Sequence, residues 1–283
     1  MTYAEYWFEG HNRLKLFSRV YPAAAADAPV VLCLHGLTRT SGDFEDLAPH
    51  LAAHFRVIVP DVRGRGLSAR DPDPGNYKLP VYLSDLEILL RGLGAAEIAV
   101  IGTSMGGLMA LTLAVTRPGL VSRMVLNDIG PELDPVGLER IRQYAGRSPA
   151  VGSWEEAISQ MRRIYGPAWP GLSAARWASI ATRSYRENPA GMLEPDCDPM
   201  IGEVVRNSAG ASRDLWPLWA ALGSTPVLVL RGELSDLLSE STLARMKREK
   251  PDLQTATIAN RGHTPLLDEP ECLSRIDNFL TGK

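Results

Sequence analysis

The sequence predicts an α/β protein whose mostly parallel sheet carries helices on both faces. Short apolar runs rich in β-branched residues alternate with amphipathic runs of helical length up to residue 127, and the alternation resumes after residue 225. One such run, 97–101, leads into Gly102-Thr103-Ser104-Met105-Gly106 and then into a helix-like stretch. The residues able to do chemistry fall at the carboxyl ends of the predicted strands, where sheets of this kind gather their functional groups.

Residues 3–9 and 13–20 alternate as an opening antiparallel hairpin. A buried strand follows over 30–34, then a short helix over 43–53, a strand near 55–60 and a helix over 80–93. The strand over 97–101, a helix over 105–116 and a strand near 121–127 complete the first half. Between Gly130 and about Gly223 the alternation stops, with no convincing strand and helical periodicity at 155–165 and 174–185. This stretch is expected to be a helical insertion over the strand ends, giving a core of 1–130 and 223–283 and a cap of 131–222. The run 225–232 reads as a parallel strand opened by Pro and closed by Gly, 253–259 as a last strand, and an amphipathic segment ends near Leu280.

In a strand-turn-helix elbow the central residue sits on a tight turn and its side chain stands above the sheet edge, which makes Ser104 the candidate nucleophile. A serine hydroxyl needs a base within hydrogen-bond reach and an acid to orient that base. Of the five histidines, only His263 lies beyond the elbow, on a turn-rich loop after the last strand. His11, His50 and His54 read as surface residues. The acid is expected at Asp236, after the strand 225–232, ahead of Asp128 at the end of strand 121–127 and of Glu233 nearby. The backbone N–H groups of Met105, just after the nucleophile, and of Leu37, after the tight turn at Gly36, are the expected oxyanion donors. His35 then supports that loop, unless it is simply a half-buried core histidine.

These pieces together resemble the α/β-hydrolase superfamily over nearly the whole chain. His35-Gly36, Asp61-Val62-Arg63-Gly64-Arg65-Gly66-Leu67-Ser68, the elbow through Gly107, Asp236 and Gly262-His263 occur in family order. The resemblance implies an eight-stranded sheet with a helical cap after strand 6. It also implies Ser104, Asp236 and His263 as nucleophile, acid and base, with Leu37 and Met105 as oxyanion donors. Relatives with an elbow aspartate, the haloalkane dehalogenases and epoxide hydrolases, are disfavoured by the serine. A serine esterase acting on a small-to-medium acyl compound is the expected activity. A carbon-carbon bond hydrolase with the same triad ranks second, because His35-Gly36-Leu37-Thr38 lacks the Gly-Pro-Gly loop often seen there, and a low-turnover receptor of the same fold is the reading from another class. Arg39, Trp154 and Trp177 are the expected substrate contacts, although a loop arginine is commonly ion-paired and a cap tryptophan commonly packs the cap.

The 283 residues, 45% hydrophobic, suffice for one large core. A formal net charge of -3 gives no basic footprint for nucleic acid, and no apolar stretch is long enough to span a membrane. Three widely spaced cysteines, Cys33, Cys197 and Cys272, suggest free thiols in a reducing compartment, with Cys33 in strand core. The first residues lack a basic head and an apolar stretch, so a cytoplasmic protein acting on a small-molecule substrate is expected. No phosphate-loop or dense ligand spacing occurs, so neither cofactor nor metal is expected. Asp61 and Arg63 are expected to brace their loop as a pair.

Overall fold

The computed structural model describes residues 2–25, 27–207 and 214–282. Its strands and helices run β1 (Ala4–Glu9), β2 (Lys15–Tyr21), β3 (Val30–Leu34), α1 (Leu47–Leu51), β4 (Arg56–Asp61), α2 (Leu79–Gly92), β5 (Ile98–Thr103), α3 (Met105–Thr116) and β6 (Val121–Asn127). An insertion follows with α4 (Pro135–Tyr144), α5 (Trp154–Tyr165), α6 (Ala174–Thr182), β7 (Tyr185–Glu187), β8 (Leu193–Pro195), α7 (Met200–Asn207) and α8 (Trp216–Ala220). The chain then returns to the sheet with β9 (Val227–Gly232), α9 (Glu240–Glu249), β10 (Gln254–Ile258) and α10 (Pro270–Thr281).

Eight strands form one sheet in the order β1-β2-β4-β3-β5-β6-β9-β10. Only β1 and β2, joined as a hairpin, and β2 against β4 pair antiparallel; every later neighbour is parallel. Parallel strands covered on both faces must be apolar throughout, and β5 and β9 are buried at every position. Successive side chains point to opposite faces, so Leu32 and Leu34 join the core beneath α2 and α3, while Val31 and Cys33 join the one beneath α1 and α10. Burial pushes the thiols of Cys33 and Cys272 up and that of Cys197 up to about 11, and all three are free and buried. Among the described residues, no helix is long and apolar enough to cross a membrane.

The insertion departs from the sequence reading in one respect. β7 and β8 pair antiparallel as a small separate sheet, and α6 stops at Thr182 so that Tyr185 can enter it. Strands of three residues are too short to show alternation, which is why the sequence predicts none. The insertion has a core of its own around Met161, Trp169, Trp177 and Ile180. By contrast, Ile141 of α4, Ile201 of α7 and Trp216 and Trp219 of α8 belong to the main core. Residues 208–213 of the expected cap lie outside the described residues.

A buried ion cluster anchors the loop after β4. Arg63, wholly buried, donates through Nε and Nη2 to the two carboxylate oxygens of Asp85 on α2, each at 2.7 Å, and through Nη1 to Asp71. Asp61 is not its partner, contrary to expectation. Both Asp61 oxygens are occupied by backbone N–H groups, Ser41 at 2.6 Å and Leu67 at 3.0 Å. Removing one member of a buried ion cluster leaves the others charged and unsolvated. Arg63→Ala is therefore expected to lower unfolding free energy by about 3–5 kcal/mol, read as a fall in the denaturant midpoint with little change in slope.

Candidate active site

β5 enters the elbow through Gly102, and the backbone turns over at Ser104 with φ 51° and ψ -114° before α3 begins at Met105. Glycine is required on either side because other backbone lies within contact. A Cβ on Gly102 would stand 2.5 Å from the carbonyl oxygen of Gly106, and one on Gly106 would stand 2.2 Å from that of Leu34 in β3. The unusual conformation is held by three hydrogen bonds. Ser104 N–H donates to Asn127 O at 3.1 Å, and Ser104 O accepts from the N–H groups of Gly107 and Leu108.

Ser104 Oγ lies 2.9 Å from Nε2 of His263, whose Nδ1 lies 2.8 Å from Oδ2 of Asp128. A carboxylate only accepts, so Nδ1 carries the proton and the Nε2 lone pair faces the serine hydroxyl. Asp128 is wholly buried, directly after β6, and its backbone takes φ 54°. Its Oδ1 accepts from Gly232 N–H at 2.8 Å and its Oδ2 also accepts from Ser235 O–H at 2.6 Å. Three donors thus replace the water a buried carboxylate has lost.

Asp236, the expected acid, does not contact His263. Its carboxylate is bidentate to Arg140 of α4, with Nη2 at 2.9 Å. Burial pushes the Asp236 carboxyl up, and the Arg140 guanidinium more than offsets this, holding it below the ordinary value. The residue before it, Ser235, is the one that turns inward. Ser235 Oγ accepts from the N–H groups of Leu237 and Leu238 while donating to Asp128, and so rigidifies the carboxylate that reaches the imidazole.

Leu37 and Met105, the expected oxyanion donors, line the same cavity as Ser104. Met105 is the first residue of α3, so its N–H has no intrahelical acceptor. Leu37 N–H belongs to the Gly36–Leu37 peptide, and Gly36 O accepts from His35 Nδ1–H at 2.8 Å and from Arg39 N–H at 3.2 Å. A trans peptide points its N–H away from its carbonyl, so fixing Gly36 O aims Leu37 N–H the opposite way. Arg65, which the sequence reading passed over, ties both donors together. Its Nε donates to Leu37 O at 2.9 Å and its Nη2 lies 3.6 Å from Met105 Sδ. The only sequence signal for Arg65 is its place in the glycine-rich turn after β4.

A cavity of about 950 Å³ opens onto Ser104, Met105, Leu37 and His263. Its walls include leucine and isoleucine side chains of α3 and α4, with Tyr165 and Trp169 of the insertion. Arg39 lies on the wall between this cavity and a chamber of about 110 Å³. Burial works against its charge, but Asp43, bonded to Nε at 3.0 and 3.1 Å, outweighs this and holds the guanidinium protonated. The other two expected substrate contacts are elsewhere. Trp154 is solvent-exposed at the start of α5, and Trp177 packs tilted against Trp169, 5.7 Å between centroids, behind the wall. Trp169, by contrast, lines the cavity. It also donates from Nε1 to Thr264 O at 2.7 Å, while Gly262 N–H donates to Ala168 O at 2.7 Å, so the insertion grips the His263 loop on both sides. Among the described residues, no three His, Cys, Asp or Glu side chains converge as metal ligands.

Fold and site together define a hydrolase scaffold. The model of the alpha/beta hydrolase fold family matches residues 29–270, and the chain belongs to that family. It is 33% identical to the 3-hydroxybutyrate-oligomer hydrolase of Cupriavidus necator, over 91% of this chain and 90% of that one. It is 29% identical to the 2-(acetamidomethylene)succinate hydrolase of Mesorhizobium japonicum, over 89% and 88%. The crystal structure of an alpha/beta hydrolase from Novosphingobium aromaticivorans superposes with a TM-score of 0.93 at 40% identity, covering 99% of each chain. Family and relatives support hydrolase activity.

His35 supplies a pH dependence. It is wholly buried, and its Nε2 accepts from Val62 N–H at 3.0 Å. Burial lowers its pKa from the ordinary 6.5, against a smaller opposite pull from the Asp61 carboxylate. For a depressed histidine the unfolded chain binds the proton first, so the stabilisation is complete above about pH 6.5 and is lost as pH falls below it. His35→Gln is expected to remove this contribution. Tm measured from pH 7.5 to 5 should fall less steeply in the variant than in the wild type.

Proposed function

We propose that this chain is a serine hydrolase that cleaves a small-to-medium carboxylic ester or related acyl compound through an acyl-enzyme on Ser104. The observation that carries the reading is the continuous chain from Ser104 Oγ to His263 Nε2 at 2.9 Å and from His263 Nδ1 to Asp128 at 2.8 Å. His263 takes the Ser104 proton as Oγ attacks the substrate carbonyl, and Asp128 fixes the tautomer and stabilises the imidazolium. The N–H groups of Leu37 and Met105 bind the tetrahedral oxyanion. Collapse breaks the bond from the carbonyl carbon to the leaving oxygen, which receives the proton from His263. Water, deprotonated by His263, then attacks the acyl-enzyme and releases the acid.

In this reading residues 131–222 act as a cap that closes the cavity and limits water around the acyl-enzyme. The relative from Cupriavidus necator acts, by its name, on oligomers of a hydroxy acid, which are joined by ester bonds, and this favours an ester here. The relative named for 2-(acetamidomethylene)succinate carries an acetamido group in its named substrate, which is why the reading extends to related acyl compounds. A small molecule is the expected partner.

A fluorophosphonate should label the wild-type protein covalently, and Ser104→Ala should abolish both labelling and the burst of 4-nitrophenol from 4-nitrophenyl esters. Labelling at full rate in Ser104→Ala would overturn the assignment. Two carboxylates separate the roles further. Asp128→Asn is expected to lower kcat by about 10³–10⁴-fold, as loss of the orienting acid does elsewhere. Asp236→Asn, which breaks a half-buried ion pair with Arg140, should lower it by less than about ten-fold, with both measured on 4-nitrophenyl butyrate.

A further inference from the structure

The cavity that opens onto Ser104 is apolar in most of its wall but unbalanced in charge. Among the described residues that line it stand five cationic side chains, Arg39, Lys78, Arg142, Arg176 and Arg183, against the single carboxylate of Asp43. Three of the cations are neutralised within the protein. Arg39 is held by Asp43, Arg176 by Asp46 and Asp268, and Arg183 by Glu45 and Asp46. Lys78 is exposed and has no ion pair among the described residues.

Arg142 is different. It lies four residues after Leu138 on α4, and positions so spaced share one helix face, so the two side chains present themselves to the cavity together. Its side chain is only 28% exposed, and its one ion pair among the described residues is a 3.7 Å approach to Glu139, itself 58% exposed. The undescribed stretch 208–213, Ser-Ala-Gly-Ala-Ser-Arg, contains no carboxylate that could serve it. A half-buried guanidinium on an apolar wall loses hydration that a long ion pair to a mostly solvated glutamate restores only in small part. A bound carboxylate would restore it, through the paired N–H groups that guanidinium offers in one plane.

From this imbalance we infer that the cavity selects an anionic substrate, an ester carrying a carboxylate remote from the scissile bond, and that Arg142 receives that carboxylate. The inference rests on the serine-hydrolase reading above and narrows it to a substrate class. The apolar wall takes the carbon chain between the two ends, Lys78 adds to the positive field, and the scissile carbonyl lies at Ser104.

The test compares charged with neutral esters of similar size. With the carboxylate on the acyl side, the pair is mono-4-nitrophenyl glutarate and 4-nitrophenyl butyrate; on the leaving side, it is 4-(butanoyloxy)benzoate and phenyl butyrate. In at least one pair the wild type should show a higher kcat/KM for the charged ester. Arg142→Gln should reduce that charged-to-neutral ratio by about ten-fold or more, and Arg142→Lys should recover part of it. As a check independent of any variant, 0.5 M NaCl should lower the wild-type ratio, and glutarate should inhibit competitively. Ratios at or below one in both pairs, or a preference indifferent to Arg142→Gln, would overturn this inference alone if fluorophosphonate still labels Ser104. Absence of Ser104 labelling would instead remove the hydrolase reading, and this inference with it.

Discussion

The turn through Ser104 is the constraint around which the rest of the site is arranged. A non-glycine residue at φ 51° and ψ -114° costs on the order of 1–3 kcal/mol and persists only where the surroundings dictate it. Here β3 and β6 do so from either side. The Leu34 carbonyl sits so close to Gly106 that no side chain fits between them, and Asn127 O takes the Ser104 N–H. Asn127 also donates from Nδ2 to Thr103 Oγ1 and to Pro265 O, tying β6 to the elbow strand and to the loop that carries His263. The same two strands that force the turn then deliver the flanking groups at their ends: His35 and the Gly36–Leu37 turn from β3, and Asp128 from β6. Strain at the serine and assembly of its partners are therefore one packing problem, solved by strand order.

Much of this was legible in the sequence because the relevant signals are local. The elbow is five consecutive residues, His263 is the one histidine after it, and Gly36 follows an unmistakable apolar strand. The sheet was readable too, since buried parallel strands are continuous apolar runs. Which carboxylate meets His263 was not, and the reason is specific. Asp128 directly follows β6 and Asp236 lies in the loop after β9, and these two strands are adjacent in the sheet. Which carboxylate faces the imidazole depends on the direction of one side chain, and that direction is decided by Arg140, 96 residues away in sequence. Trp169 against Trp154 and Trp177 is the same kind of failure. Helical spacing says that a tryptophan lies on an amphipathic face, but what covers that face is a tertiary fact.

The insertion also holds the loop that carries His263. Its hydrogen bonds to Gly262 and Thr264 lie on either side of His263, and they come from Ala168 and Trp169, which also belong to the insertion's own small core. Trp169 stacks on Tyr165 with ring centroids 4.9 Å apart, and both rings wall the cavity. One indole thus joins the cavity wall to the loop that carries His263.

That the carboxylate bonded to His263 follows β6 bears on how the insertion is attached. With His263 served by Asp128, the loop after β9 no longer has to turn its aspartate inward, and it becomes a docking point for α4. Asp236 takes Arg140, Leu237 O accepts the N–H of Asp134, and Gly137 lies so close to the Asp236 carbonyl that a Cβ there would stand 2.5 Å from it. Ser235, one residue earlier, keeps the other side of the loop on Asp128. Adjacent residues of a single turn thus hold the carboxylate of the site and the first helix of the insertion. α4 is also the helix that brings Leu138 and Arg142 to the cavity, so the position of that wall is set from the same turn that orients the imidazole.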